Sequence, residues 1–169
     1  YLGGYESQTL IGGYPGGGVR VCGSRIMTTI GQKENNMSHT GGCLCGAITY
    51  EFPNDPAAYG VCHCLNCQKQ AGSAFSTLAP VPKSEFNLNG APKLYVDGDT
   101  NSGNSVERYF CDNCGSPIYS ALPGQADVIY LKTGTMDDTS GFNPSFNVWC
   151  STKQDWVELP EGVPQMETQ

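Results

Sequence analysis

Nine cysteines in a chain of 169 residues limit what this polypeptide can fold into more than any other feature. Seven of them fall into three tight groups, CLC at 43–45, CHCLNC at 62–67 and CDNC at 111–114, while Cys22 and Cys150 stand apart. An odd number leaves one thiol over from any complete disulfide set, and nothing at the N-terminus reads as a secretion signal, so a reducing compartment is expected. Cysteines one or two positions apart strain a mutual disulfide, yet they readily bring two thiolates onto one ion at about 2.3 Å. Soft sulfur ligands favour zinc over calcium or magnesium, with an iron–sulfur cluster as the lesser alternative.

Seven ligands divide most simply as four and three. Cys62, Cys64 and Cys67 are close enough for one local turn to wrap an ion, which leaves Cys43 and Cys45 to meet Cys111 and Cys114 from a distant part of the chain. Spacing alone leaves open a rival division, with Cys43, Cys45, Cys62 and Cys64 around one ion. Four thiolates close a structural site, whereas three protein ligands leave a position for water or substrate. His63 lies between two proposed ligands and, if its segment is extended, points away from them because alternate side chains face opposite ways. His39 reads as solvated, and Cys150 beside Trp149 reads as a core filler.

The remainder of the composition narrows the class. Lys and Arg number 9 against 16 Asp and Glu, a net charge of −7, which argues against a nucleic-acid backbone as partner. No apolar run approaches the ~20 residues that span a bilayer, so no membrane partner and a cytoplasmic location are expected. Twenty-two glycines and 11 prolines punctuate the chain and disfavour long helices. Residues 1–36 hold nine of those glycines and few bulky aliphatics, and read as an arm or extension; residues 37–169 read as the folded domain. There, Ile48, Tyr50 and Phe52 alternate with polar neighbours, as do Val106, Arg108 and Phe110, giving strands that abut cysteine groups. Further strands are expected at 76–79, 85–88, 94–96, 118–120, 128–132, 146–150 and 156–158, and one helical turn at 67–72. The fold class is therefore mainly β, a β-rich α+β domain of short strands with knuckle-type cysteine turns. The glycines that follow Cys45 and Cys114 suit such turns, since glycine accepts positive φ. Tyr109, Phe110, Trp149 and Trp156 are expected in the core.

Three stretches, GGCLCGAITYEF, CHCLNCQKQAGSAF and ERYFCDNCGSPIYS, resemble the family of glutathione-dependent formaldehyde-activating enzymes and their centromere protein V-like relatives. The resemblance runs from about Ser38 to Gln165 and includes VIYLKTGTMDD, NVWC and WVELPEGVPQ. It implies an Mss4-like, zinc-stapled fold. It also implies two zinc ions per chain: a structural one on Cys43, Cys45, Cys111 and Cys114, and a catalytic one on Cys62, Cys64 and Cys67. The chain departs from the family pattern at two places, with Asn147 in the segment before Trp149 where many members carry histidine, and Gln68 where many carry arginine.

The activity so implied is that of a carbon–sulfur lyase, or thiol–aldehyde adduct synthase, with glutathione and formaldehyde as small-molecule partners. Two alternatives stand beside it: a related lyase or cyclase acting on another small molecule such as a natural-product intermediate, and a zinc-bearing binding module without catalysis. Gln70 and Ser73, which follow the three-cysteine segment, and Asn147 are the expected substrate contacts. A homo-oligomer is compatible with the sequence.

Overall fold

The computed structural model describes residues 38–169, so Cys22 and the expected N-terminal arm lie outside the described residues. Eleven strands and one short α-helix follow in the order β1 (His39–Gly42), β2 (Thr49–Phe52), β3 (Gly60–Cys62), α1 (Leu65–Ala71), β4 (Ser76–Pro82), β5 (Asn87–Asn89), β6 (Lys93–Asp97), β7 (Val106–Phe110), β8 (Pro117–Ala121), β9 (Val128–Lys132), β10 (Phe146–Val148) and β11 (Gln165–Met166). The domain is mainly β, as the spacing of strand-like segments implies.

Two sheets organise these strands. A three-stranded sheet runs β1-β2-β5, and an eight-stranded sheet runs β11-β10-β3-β4-β9-β8-β7-β6. The main core lies where Ile48, Tyr50 and Phe52 of the small sheet region meet Val81, Ile118, Ile129 and Leu131 of the large one. Burying these side chains contributes about 1.5–3 kcal/mol each. Cross-strand pairing turns the opposite phase of the large sheet the other way. Arg108 is opposite Ser120, Ser120 opposite Tyr130, Leu78 opposite Lys132, and Cys62 opposite Ser76. Residues so paired share one face of a sheet.

The structure differs from the sequence expectations in several places. Residues 85–88 divide into a 3₁₀ turn, Lys83–Glu85, and β5; the expected strand at 146–150 stops at Val148 because Trp149 takes a left-handed conformation with φ 60°. Residues 156–158 form no strand, and Trp156 is 71% exposed rather than in the core, its ring N–H donating to Gln154 Oε1 at 2.7 Å. His39 is not free in solvent: it stacks on Phe52 at 4.9 Å and its Nε2 is 2.8 Å from Asp55 Oδ1. The helical turn expected at 67–72 starts earlier, at Leu65, and ends on Gly72 in the left-handed region with φ 60°.

Candidate metal centres and the adjoining cleft

The four-cysteine group is built by two turns of one design. After β1, the Cys43 carbonyl accepts from the Gly46 N–H at 3.0 Å; after β7, the Cys111 carbonyl accepts from the Gly115 N–H at 2.8 Å. Both glycines have φ of 76°, the left-handed value that disfavours any residue with a Cβ. Ser116 ties the turns together, its Oγ accepting from the Leu44 N–H at 3.0 Å and lying 3.3 Å from Cys114 Sγ. The Sγ atoms of Cys43, Cys45, Cys111 and Cys114 all lie within 4.8 Å of one another. Two of the separations are 3.5 and 3.7 Å, Cys43–Cys45 and Cys45–Cys111. A tetrahedron with 2.3 Å metal–sulfur bonds has edges of about 3.8 Å, so this donor set fits a four-thiolate ion. The Ile48 N–H donates to Cys43 Sγ at 3.2 Å, and the Ser116 hydroxyl and N–H hold the Cys114 thiol down to about 5.

The second group is local. Cys62 ends β3, Cys64 caps the start of α1 by accepting the Cys67 N–H at 3.3 Å, and Cys67 lies in the first turn. All three are buried and their Sγ atoms lie within 4.8 Å of one another. The rival division of the cysteines is not the one the chain adopts. Hydrogen bonds from Cys62 and Cys64 hold the Cys67 thiol well below its usual range, and the same contacts with Cys64 and Cys67 push Cys62 up. Three soft sulfur donors converging in this way fit a three-thiolate ion.

His63 turns away from both sulfurs, as alternation requires. It is fully buried, with Nε2 at 3.3 Å from Asn147 Oδ1 and an edge-on contact with Phe75 at 5.7 Å. Burial lowers its pKa.

A cleft of about 580 Å³ opens onto the three-thiol group, and Cys62, Cys64 and Cys67 line it. Leu78, Phe146, Val148 and Trp149 form an apolar wall. Arg108, Lys132 and Ser120, all 6% exposed or less, lie on the sheet floor. Arg108 forms a two-nitrogen contact with Asp97 Oδ2, Nε at 2.8 Å and Nη2 at 2.7 Å. Burial works against the Arg108 charge, but the Cys67 thiolate and the Asp97 carboxylate outweigh it and raise its pKa. Asp97 also accepts from Asn66 Nδ2 at 3.1 and 3.2 Å, and Asn66 lies on α1 between Cys64 and Cys67. One buried carboxylate therefore fixes the cysteine-bearing helix against β7. Burial lowers the Lys132 pKa, with the Cys67 thiolate opposing the shift.

The family described as glutathione-dependent formaldehyde-activating enzyme matches residues 38–152, which hold both cysteine groups and the floor of the cleft. The chain belongs to this family.

Among similar proteins, an uncharacterized lyase of Schizosaccharomyces pombe is 29% identical over 112 residues, covering 66% of this chain and 66% of that protein. A protein of Emericella nidulans named for glutathione-dependent formaldehyde activation is 26% identical over 80 residues, covering 47% of this chain and 40% of that protein. The chain thus spans less than two thirds of the length of either relative. A crystal structure of a Rhodobacter sphaeroides protein aligns with a TM-score of 0.45 at 22% identity, covering 62% of this chain and 91% of that one. No helix among the described residues is long and apolar enough to cross a membrane.

The expected substrate contacts lie elsewhere. Ser73 is exposed, Gln70 is half-buried, Asn147 is buried against His63, and none of the three lines the cleft. Gln68 is also occupied, its Nε2 donating to the carbonyls of His63 at 2.6 Å and Thr152 at 2.9 Å, so it anchors the strand-to-helix segment. Arg108, Asp97, Lys132 and Ser120 carry no spacing signature. Their one trace in sequence is a charged residue in the inward phase of an otherwise apolar alternation, as Arg108 is between Val106 and Phe110.

Proposed function

We propose that this protein is a zinc-dependent thiol–aldehyde adduct synthase, equally a carbon–sulfur lyase in reverse, with glutathione and formaldehyde or a related aldehyde as substrates. The observation that carries the proposal is the contrast in ligand number: four thiols converge in one place, and three converge on the wall of an open cleft. Zinc in both groups, two per chain, is part of the proposal.

Cys62, Cys64 and Cys67 would hold a zinc ion with a position left open, and the ion would supply Lewis acidity that lowers the pKa of a substrate thiol. The chain's own residues do the rest. Asn66, Asp97 and Arg108 hold the cysteine-bearing turn rigid, so the three sulfurs keep their convergence when substrate enters. The wall of Leu78, Phe146, Val148 and Trp149 excludes water from one side and strengthens the polar contacts on the other. At about 580 Å³ the cleft is in the range that encloses a small organic ligand, which suits a tripeptide thiol together with a one-carbon aldehyde. An open cleft at the three-thiol group favours chemistry over a binding module.

Metal analysis joined to a thiol and aldehyde assay tests the proposal. Wild-type protein is expected to hold two zinc ions and to turn over glutathione with formaldehyde, and Cys64→Ser to lose one ion and the activity together. Inactive wild-type protein holding both ions would refute the substrates; a Cys64→Ser protein retaining both would refute the three-cysteine site.

A further inference from the structure

The cleft floor holds two polar groups whose hydrogen-bonding capacity is not filled. Lys132 is 4% exposed, and among the described residues its ammonium has one hydrogen-bond partner, Ser76 Oγ at 3.1 Å. Ser120 is 6% exposed and its Oγ has no hydrogen-bond partner among the described residues. Both line the cleft. A buried donor left unmet costs about 1–3 kcal/mol, and more when charged, so a cleft that keeps two of them in its lining is built to receive something.

Their placement says what that is. Ser120 is opposite Tyr130, two residues before Lys132 on β9, so the two side chains share the cleft face of the sheet. Ser76, whose Oγ accepts the hydrogen bond from Lys132, is the cross-strand partner of Cys62. The Lys132 ammonium therefore sits beside the three thiols, and Ser120 lies on the same face of the sheet, on the next strand. No acidic side chain among the described residues lines the cleft, and the nearby Asp97 carboxylate is already taken by Arg108 and Asn66. An ammonium has donors only, so what is left for it, beyond Ser76 and the thiols beside it, is an acceptor oxygen carried by a guest in the cleft.

We propose that Lys132 and Ser120 form an oxyanion subsite that takes the carbonyl oxygen of the aldehyde under attack; the identity of the guest rests on the thiol–aldehyde reading above. The substrate thiolate forms a carbon–sulfur bond to the carbonyl carbon, and the C=O π pair moves onto the oxygen. Lys132 and Ser120 donate hydrogen bonds to that oxygen as its charge develops, and it then takes a proton from solvent. Thiol plus aldehyde gives the S-hydroxyalkyl adduct with nothing oxidised or reduced. Donors fixed before the reaction stabilise the transition state more than the ground state.

The test uses zinc-loaded protein and formate, whose carboxylate oxygens mimic the developing oxyanion, with binding followed by saturation-transfer NMR. Lys132→Met, which keeps the length and the apolar stem, is expected to retain both zinc ions, weaken formate about 10- to 100-fold, and lower kcat on the order of 100-fold with KM for glutathione unchanged. Ser120→Ala removes a single atom and is expected to weaken formate about fivefold, which keeps the test decisive should Lys132→Met not fold. Formate binding unchanged in both variants would overturn the subsite. A rise in KM for glutathione at constant kcat would also overturn it, placing a substrate carboxylate on Lys132 instead. Failure of the wild-type protein to join glutathione and formaldehyde would sink the thiol–aldehyde reading, and the formate arm would still decide the subsite.

Discussion

The two thiol groups are made of the same atom and differ in almost everything around it. In the first, Cys43 and Cys45 come from the turn between β1 and β2 of the small sheet and Cys111 and Cys114 from the turn between β7 and β8 of the large one, so the group links the two sheets. Its neighbours are backbone N–H groups and one serine hydroxyl. In the second, three sulfurs from a single strand-to-helix segment face a cleft floored by two buried cations. A group closed by the chain itself has nothing left to offer a substrate. The three-thiol group adjoins features that do not stabilise a fold: an open face, a buried ammonium with donors to spare, and a hydroxyl with no partner among the described residues.

The largest expected effect comes from breaking the closed group. Cys111→Ser is expected to lose one zinc and its cooperative thermal transition, because binding energy at a structural zinc is folding energy, apparent values running to about 10–16 kcal/mol in small zinc-stapled peptides. Cys64→Ser, by contrast, is expected to keep a cooperative transition. Thermal melts of the two variants with zinc counts check the contrast, and the reverse ranking would abolish the division into staple and reactive site.

Asp97→Asn sharpens the other side. The substitution keeps the shape and leaves Arg108 buried without its counter-charge, at a cost of about 3 kcal/mol. It also loosens the Asn66 anchor of α1. Zinc affinity at the three-thiol group is expected to fall 10- to 100-fold, the usual effect of removing a partner that orients a ligand segment, while the four-thiol group is unchanged. Stepwise chelator competition separates the two ions.

The closed group's core also has a pH signature of its own. Tyr50 is buried beneath β1 with its hydroxyl 2.8 Å from Thr135 Oγ1, and burial pushes its pKa up to about 12. The neutral form is thus favoured in the fold, so this contribution to stability is complete below pH 10 and is lost as pH rises from about 10 towards 12. Tyr50→Phe is expected to cost about 1 kcal/mol at neutral pH and to flatten the alkaline limb of a stability–pH curve. Urea denaturation at a series of pH values reads both; an unchanged alkaline limb would show that Tyr50 ionisation does not limit this core.

How much of this could be read from the chain depended on whether the interaction was local. β2, β7 and β9 announce themselves by alternation and by Val, Ile, Tyr and Phe, and the knuckle glycines by the cysteines they follow. β1 reads HTGG and β3 reads GVC, too short and too rich in glycine to signal strands. They are strands because tertiary pairing imposes it, β1 on β2 and β3 between β4 and β10. Trp156 is apolar enough for the core, but it lies in a turn with no sheet to receive it. The cysteine groups were legible because spacing encodes convergence. The cleft floor was not, since Arg108, Ser120 and Lys132 arrive on three different strands and meet only through the order β9-β8-β7.

The smallest expected effect is the most direct comparison of the two groups. Gly46 closes the first knuckle with φ 76° and Gly72 ends α1 with φ 60°, and a Cβ at either position would meet nothing within 4 Å. Alanine at each therefore adds no clash and carries only the left-handed backbone penalty, about 1 kcal/mol. Gly46→Ala and Gly72→Ala should lower the melting temperature by similar small amounts. They should differ in which ion becomes easier to remove: Gly46→Ala loosens the turn that presents Cys43 and Cys45, and Gly72→Ala loosens the helix that carries Cys67. Equal melts with opposite orders of metal release would establish that the two groups are independent sites on one fold, whereas release of the same ion first in both variants would mean that one site governs the other.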